Sequence, residues 1–473
     1  LLTSDWIDFF NSGYYVSETG RYGIFNLPLV IIAGFFSASG VLLYIFCIGA
    51  FVEVMLQSGT LEAGTASLVK KMKGKEILLI PILFVLFCFG GTAFGMQEET
   101  LGLIPLIIPF LVIAGFDTMT GLLIVVVGTT SGIAASVLDP FSIGVMASSL
   151  STPDFEVTVS TGIIIRIIMF IVFATLGSIG CMWYGHRSRK GKDYVLEPEK
   201  YEENKEWAKQ HLGDIHETHD KMTKRQVIGL SLFAGTFAVM VFSLLPWTTW
   251  FPVLVADPNG FWTVFSSLFF DGAVFGEWYF LQLSMMFIIM TYISAWTFQM
   301  SVKETNSAVS SGIKGMFGVA MILVLSRSVA IILTYSGITI AMVNLMFQNV
   351  VGGEEFSEIA LAWILFPIFA LLAVFIPSTS GLAGITGPLI APIINSMAGG
   401  QEELFMKYAI VVMVVYPLAQ GTINMFSPTT GLVVAQAEAS KVSYGKAMPI
   451  LALCALITMI TGMLIISTST MFI

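Results

Sequence analysis

Long runs of apolar residues, separated by short polar stretches, occupy most of this chain. A helix that crosses the hydrocarbon core of a membrane needs about 20 predominantly apolar residues. The uninterrupted runs approach or exceed that length and predict plain membrane spans. They lie at Leu27–Met55, Thr161–Tyr184, Gln226–Leu245, Tyr279–Phe298, Gly315–Thr334 and Ala447–Ile466.

Two longer runs, Ile77–Phe116 and Ile359–Ala398, are each interrupted by a polar turn rich in small residues. Each run has about 40 residues, enough for a path into the membrane and back. We therefore predict two re-entrant hairpins, with tips at Gly95–Glu99 and Pro377–Gly381.

Two further runs predict membrane helices that are broken near a proline. Thr120–Leu150 is interrupted just before Pro140, and Tyr408–Ala439 just before Pro428. Proline has no backbone N–H to donate and clashes with the preceding turn. Open backbone at membrane depth is tolerated only where it is buried in protein or lines a cavity. Interrupted segments at matching places in two halves indicate a transporter binding site.

The interruptions recur at nearly constant spacing along the chain. Pro105 and Pro388 are 283 residues apart, and Pro140 and Pro428 are 288 apart. This spacing predicts two structural repeats joined by a polar linker. The predicted domains are a first repeat at 1–185, a cytoplasmic linker at 186–225 and a second repeat at 226–473.

Lysine and arginine positions predict the orientation of the spans. Loops on the cytoplasmic side carry an excess of Lys and Arg. Placing the basic cluster at 70–75 inside leaves only Arg21 and Lys407 outside, and it gives the two halves opposite topologies. We therefore expect an inverted repeat in the inner (plasma) membrane. The same orientation puts residues 1–26 outside, which predicts a first helix before Leu1.

Composition agrees with a polytopic all-α membrane protein. Of the 473 residues 56% are hydrophobic and 11% charged, with a mean hydropathy of +0.86, whereas soluble domains are about a quarter charged. The net charge of −9 comes without a large basic patch, so no nucleic-acid partner is expected. All four histidines lie between His186 and His219, in the polar linker, so no catalytic or metal-binding histidine is expected inside the membrane.

Adjacent carboxylates at the first tip are the sharpest candidate for chemistry. An ionised carboxylate inside a bilayer is expensive, and is a functional hypothesis by default. Glu98 and Glu99 repel each other, so one is expected to carry a proton. They could bind an amino or guanidino group, or a coupling cation. The alternative is that one lies in a wet loop and the other pairs with a basic residue.

The remaining candidates are small or oxygen-bearing residues at the tips and breaks. Small residues let backbone approach a ligand, although they also serve tight helix packing in membranes. Asp139 either caps its broken helix or contacts substrate. Arg166 and Arg327 lie in apolar runs; Arg327 is the better candidate to bind a carboxylate, and salt bridges or snorkelling remain alternatives for both. In the second half the candidates are Ser378, Thr379, Ser380, Gly381, Asn424, Ser427 and Thr429.

Several motifs together resemble the YfcC/DcuC-type carriers of the ion transporter superfamily. They are GGTAFGMQEET, the paired PxxxP motifs, LDPF, FSPTTG, IPSTSG and KVSYGKAMP. The resemblance covers nearly the whole chain. It implies two hairpins, an elevator-like transport domain and a homodimer, in a family of C4-dicarboxylate carriers and arginine–ornithine exchangers. By position it implies a site at Gly95, Gln97, Glu98, Glu99, Asp139, Ser378, Thr379, Ser380, Asn424, Ser427 and Thr429.

We therefore expect a secondary active transporter, not an enzyme, that exchanges amino acids of the arginine/ornithine type by alternating access. No cofactor is expected beyond a coupling ion, Na⁺ or H⁺. A C4-dicarboxylate or other carboxylate carrier coupled to such an ion is the alternative. A channel is a second alternative, disfavoured by the twofold repeat without a pore-lining charge ring. A membrane hydrolase is disfavoured because HExxH, GxSxG and intramembrane histidine are absent from the sequence.

Overall fold

The computed structural model describes residues 27–61, 63–64, 74–153, 155–189, 202–208, 223–244, 278, 280–335 and 357–469. Regular structure in these residues is helical, and ten of their helices are long and apolar enough to cross a membrane. The chain is therefore a polytopic all-α membrane protein, as its hydropathy predicts. Residues 1–26, the aromatic segment 246–277, the segment 336–356 and most of the predicted linker lie outside the described residues.

The first half contains one long helix, two helices joined by a tip, a broken helix and a final long helix. Residues 95–99, the predicted first tip, form the turn between two helices, and the predicted first break begins at residue 136. A π-helical turn, Pro140–Gly144, continues the broken helix. The helices are α1 (Leu27–Gln57), α2 (Leu79–Phe94), α3 (Thr100–Ile113), α4 (Thr118–Ala135), α5 (Val145–Leu150) and α6 (Ile163–Ser188).

The second half repeats this order after two additional helices. The second tip is shorter than predicted, because α11 begins at Thr379 and takes three of the five predicted tip residues into its first turn. A 3-10 turn, Pro428–Thr430, lies in the second break. The helices are α7 (Lys224–Leu244), α8 (Phe280–Thr297), α9 (Val302–Tyr335), α10 (Glu358–Phe375), α11 (Thr379–Ala398), α12 (Glu402–Asn424), α13 (Leu432–Ala439) and α14 (Tyr444–Ser469).

The predicted span Gly315–Thr334 starts too late, because α9 begins at Val302 and includes both Lys303 and Lys314. Ser301 and Glu304 cap the start of this helix reciprocally. The Ser301 N–H donates to the Glu304 carboxylate at 2.7 Å, and the Glu304 N–H donates to the Ser301 hydroxyl at 3.3 Å. This capping box satisfies amides that the first turn leaves open, so α9 extends well beyond the apolar residues that predicted it.

An aromatic cluster holds α1, α7 and α8 together. The ring of Phe51 on α1 stacks on the ring of Phe233 on α7, with 5.7 Å between the ring centroids. Its centroid lies 5.5 Å from that of Phe287 on α8. Helix α9 joins them through a close backbone approach, since a Cβ added at Gly312 would lie 2.4 Å from the carbonyl oxygen of Gly49. These four helices, named here the α1/α9 group, contain no tip and no break among their described residues.

The two broken helices cross each other just before their breaks. A Cβ added at Gly421 of α12 would lie 2.5 Å from the Ala134 nitrogen and 2.6 Å from the Thr130 oxygen of α4. Tyr416, which precedes Gly421 on α12, lies within electrostatic range of Asp139, which follows the end of α4. Because an earlier part of α12 lies near the end of α4, the two helices run in opposite directions. The crossing therefore brings both breaks to one region of the molecule.

Each tip also lies beside the short helix of the opposite half. Helix α3, which follows the first tip, packs against α13, and α11, which follows the second tip, packs against α5. Helix α3 additionally meets the α1/α9 group, because a Cβ at Gly102 would lie 2.0 Å from the Ile48 side chain. The two tips and two breaks thus lie in one region, where α3 and α13 contact the α1/α9 group.

Candidate functional site

The first tip lies directly against the first helix break. Gly95 ends α2 in the left-handed conformation, with φ of 68°. A Cβ added there would lie 2.8 Å from Oδ2 of Asp139. Glycine therefore serves two needs at this position, since it adopts a positive φ without strain and leaves room for the carboxylate.

Asp139 itself is completely buried in the first break. Its Oδ2 atom accepts a hydrogen bond from the Ser136 hydroxyl at 3.3 Å. The end of α2 fixes the chain around it: the Val137 N–H donates to the Thr92 hydroxyl at 2.9 Å, and the Leu138 N–H to the Thr92 carbonyl at 3.0 Å. Tip and break consequently form one hydrogen-bonded unit with a carboxylate at its centre.

Glu99 places a second buried carboxylate near Asp139. Its side chain is 6% exposed, its Oε2 atom accepts from the Gln97 N–H at 3.0 Å, and its charge lies within range of both Glu98 and Asp139. Glu98 is half-buried beside it. Three acidic side chains therefore face one region, which favours a positively charged partner there.

Arg166 is fully buried nearby, but its guanidinium is occupied by backbone. Its Nη1 donates to the carbonyls of Ser136, at 2.8 Å, and Val137, at 3.3 Å. Its Nη2 donates to the carbonyls of Val159 and, at 3.0 Å, Thr161. Arg166 thus closes the open carbonyl end of α4 and ties it to the loop before α6.

The second tip is held by a row of side chains on α12. The Ser378 hydroxyl caps α11 by accepting from the Gly381 N–H at 3.2 Å. Gln420 donates to the Pro377 carbonyl at 2.9 Å, and the Tyr416 hydroxyl donates to the Thr379 carbonyl. Tyr416 therefore connects the second tip to the neighbourhood of Asp139.

Several buried polar atoms around the tips have no hydrogen-bond partner within the described part of the chain. They are the Gln97 amide nitrogen, the Gln420 amide oxygen and the Asn424 amide nitrogen. Gln420 is 0% exposed and Asn424 4% exposed. Buried polar atoms are normally paired, so these open atoms can receive the polar groups of a ligand.

The second break contributes hydroxyl groups. Ser427 and Thr429 share a hydrogen bond of 2.7 Å between their hydroxyls, and the Thr430 hydroxyl donates to the Ser427 carbonyl at 3.1 Å. The Tyr444 hydroxyl donates to the Phe426 carbonyl at the same break. The break is further linked to the first tip through α13, where the Gln436 amide donates to the Thr100 hydroxyl at 2.7 Å.

The predicted residues thus occupy four adjoining places. Gly95, Gln97, Glu98 and Glu99 form the first tip; Asp139 lies in the first break; Ser378, Thr379, Ser380 and Gly381 cap and begin α11; Asn424, Ser427 and Thr429 end α12 and follow it. Arg327 belongs to α9, but its side chain lies outside the described part of the structure.

Sequence reasoning placed Gln420 one turn before the second break but missed two residues that organise the site, Thr92 and Tyr416. Tyr416, Gln420 and Asn424 repeat at intervals of four, which places them on one face of a helix. That spacing, counted back from Asn424, was a signal that could have identified Tyr416. Thr92 carried no comparable signal, because its role depends on the approach of residues 137 and 138.

Comparison with known proteins identifies related sequences. The family model described as "DcuC: C4-dicarboxylate anaerobic carrier" matches residues 11–471. An uncharacterized protein of Haemophilus influenzae is 25% identical over 392 residues, covering 83% of this chain and 69% of that protein. The Escherichia coli K12 protein named "Putative basic amino acid antiporter YfcC" is 23% identical over 435 residues, covering 90% and 76%.

Two solved structures also align along most of the chain. One is the YdaH transporter of Alcanivorax borkumensis, at 15% identity and a TM-score of 0.43, covering 95% of this chain and 89% of that one. The other is MtrF of Neisseria gonorrhoeae, at 14% identity and a TM-score of 0.39, covering 94% and 84%.

Proposed function

The chain belongs to the DcuC family of C4-dicarboxylate anaerobic carriers, and within this family we propose that it is a secondary active transporter. Its proposed substrates are exchanged amino acids with cationic side chains, of the arginine/ornithine type. Its membership confirms the resemblance to YfcC/DcuC-type carriers that the motifs indicated. The name of the relative YfcC, which refers to basic amino acids, supports this choice of substrate.

The acidic first tip carries the proposal. Glu98, Glu99 and Asp139 gather around Gly95, while the guanidinium of Arg166 is engaged by four backbone carbonyls. This region therefore attracts an ammonium or guanidinium group more than a dianion. The capped start of α11 and the open Asn424 amide nitrogen supply donors for the α-carboxylate of the same substrate.

Counterflow in proteoliposomes tests the substrate class. Vesicles loaded with unlabelled ornithine should accumulate labelled arginine, and vesicles without internal ornithine should not. Unlabelled lysine should compete, whereas succinate should not. Accumulation of labelled succinate under a Na⁺ or H⁺ gradient, with no entry of arginine, would overturn the proposal.

A C4-dicarboxylate carrier coupled to Na⁺ or H⁺ is the second candidate. The family description favours it, and so does the N-terminus of α11, whose partial positive charge can hold a carboxylate. In that case Glu98, Glu99 and Asp139 would bind the coupling cation, and uptake of succinate would depend on the ion gradient.

We propose an elevator-like mechanism, in which two inverted repeats assemble the site and the α1/α9 group stays fixed in a homodimer. Its support is the division of the described helices: α1, α7, α8 and α9 have neither tip nor break, and the interrupted elements pack on one another. The same division disfavours a channel, because the interrupted elements of the two halves pack on one another around buried polar residues.

A reversible crosslink between the two groups tests this motion. Ile48→Cys and Gly102→Cys, in a variant without the four native cysteines, join α1 to α3 where Gly102 packs on Ile48. Oxidation is expected to stop counterflow and reduction to restore it, whereas Ile48→Cys combined with Gly102→Ala, which cannot form the crosslink, should stay active. Full activity with the crosslink complete would exclude an elevator motion between these helices.

Gly95→Ala is expected to abolish most counterflow while the protein still folds. The added methyl meets the Asp139 carboxylate, and an L-residue with positive φ costs about 1–2 kcal/mol. Gly399→Ala is a matched control, since Gly399 has φ of 56° and nothing within 4 Å of an added Cβ. Equal loss of counterflow in both variants would show that strain alone, not the contact with Asp139, matters.

A further inference from the structure

An apolar groove of 210 Å³ opens on the surface of the helix bundle, away from the tips and breaks. It lies between α4, α6 and α14, so both halves of the chain form its walls. Leu176 and Ile457 lie along its mouth and are 45% and 49% exposed, while Val127 is buried at its floor. The groove therefore faces the membrane and not the polar site.

The helices that form its walls, α6 and α14, run in opposite directions. Arg166, near the start of α6, binds carbonyls beyond the end of α4, so these two helices are antiparallel. Helix α14 is antiparallel to α12, because Gly462 packs on Leu418 and Tyr444 bonds to Phe426. Since α12 is antiparallel to α4, the end of α6 and the beginning of α14 lie at the same end of the groove.

Basic residues gather at that end. Trp183 and Ile450 line the groove there. One turn beyond Trp183 lies Arg187, whose guanidinium stands 4.8 Å above the Trp183 ring, and one turn before Ile450 lies Lys446. Oε2 of Glu76 lies 3.5 Å from Nη1 of Arg189, so this carboxylate offsets the positive charge of that arginine.

We propose that this groove binds an anionic phospholipid, with one acyl chain between α6 and α14 and the phosphate beside Arg187 and Lys446. An apolar groove with two cationic side chains at one end matches such a lipid in shape and charge. Basic pockets between transmembrane helices on the cytoplasmic side bind anionic lipid headgroups in this way. Trp183 lies in the last turns of α6, where an aromatic side chain suits the level of the headgroups.

Bound lipid would join the two halves of the chain between α6 and α14. The acyl chain would lie along Cys181 of α6 and Cys454 of α14, which both line the groove. Binding only to the folded state raises stability by mass action. The lipid therefore stabilises the packing of α6 against α14 and is not a transported substrate.

Gly180→Phe tests the site by filling it. Gly180 lines the groove, and nothing lies within 4 Å of a Cβ added there, so the new ring can enter without a backbone clash. Delipidated protein in detergent is titrated with phosphatidylglycerol or phosphatidylcholine, and bound lipid is counted by native mass spectrometry alongside the thermal unfolding midpoint. Wild type should bind phosphatidylglycerol at least about tenfold more tightly than phosphatidylcholine, which corresponds to about 1.4 kcal/mol of binding free energy. Bound phosphatidylglycerol should also raise the unfolding midpoint by several degrees.

Gly180→Phe should lose this adduct and the increase in the unfolding midpoint. Gly235→Phe, at an exposed glycine of α7 that is equally free of neighbours, should keep both. Arg187→Gln combined with Lys446→Gln should remove the preference for phosphatidylglycerol and keep binding of an acyl chain. Undiminished phosphatidylglycerol binding in Gly180→Phe, or equal affinity of wild type for both lipids, would overturn the proposal.

Discussion

Glu99→Gln is expected to reduce labelled arginine counterflow about a hundredfold or more. Glu99 is buried beside Asp139 and Glu98, so the negative charge that it presents to a bound cation has little solvent to screen it. Removing one partner of a buried charge pair costs about 3–5 kcal/mol, and each 1.4 kcal/mol is about a factor of ten in affinity. Glutamine keeps the side-chain oxygen that accepts from the Gln97 N–H, so the tip should retain its shape.

The measurement is counterflow at equal amounts of reconstituted protein, over a range of arginine concentrations. Glu438→Gln is the control, because Glu438 is an exposed carboxylate on α13, the short helix beside the second break. It should transport like wild type. If Glu99→Gln also transported arginine normally, the acidic tip would not be the site that binds the cationic group.

Arg166→Met is expected to destabilise the protein by about 3 kcal/mol or more, since each buried acceptor left without a partner costs about 1–3 kcal/mol. Methionine fills much of the same space but donates no hydrogen bond. The carbonyls of Ser136, Val137, Val159 and Thr161 would lose the guanidinium that now binds them. Asp139 would also lose a nearby positive charge.

Thermal unfolding of the detergent-solubilised protein measures this effect. Arg166→Lys should recover part of the loss, because an ammonium has fewer donors and no planar fork. Arg225→Met, at an exposed position of α7, should leave the midpoint within a degree or two of wild type. A midpoint for Arg166→Met as high as that of wild type would mean that the α4 break does not depend on this guanidinium.

The position of the helices and of their interruptions could be predicted from the sequence. A run of about 20 apolar residues has few alternatives to a helix in a membrane, and prolines or glycines within such runs mark where a helix stops. The break after Ala135 and the turn at residues 95–99 were located in this way. The start of α9 was not, because exposed polar residues at a helix end look like a loop until their capping is seen.

The candidate site could be predicted as a set of residues but not as an arrangement. Glu98, Glu99 and Asp139 stand out because charge is costly in an apolar run, and this follows from the sequence alone. The tertiary structure decided the contacts within this set. Gly95 touches Asp139, Arg166 donates to backbone carbonyls, and Tyr416 and Gln420 hold the second tip. Local sequence specifies where a helix can form or must break, whereas the partner of each exposed backbone group depends on how helices distant in sequence cross.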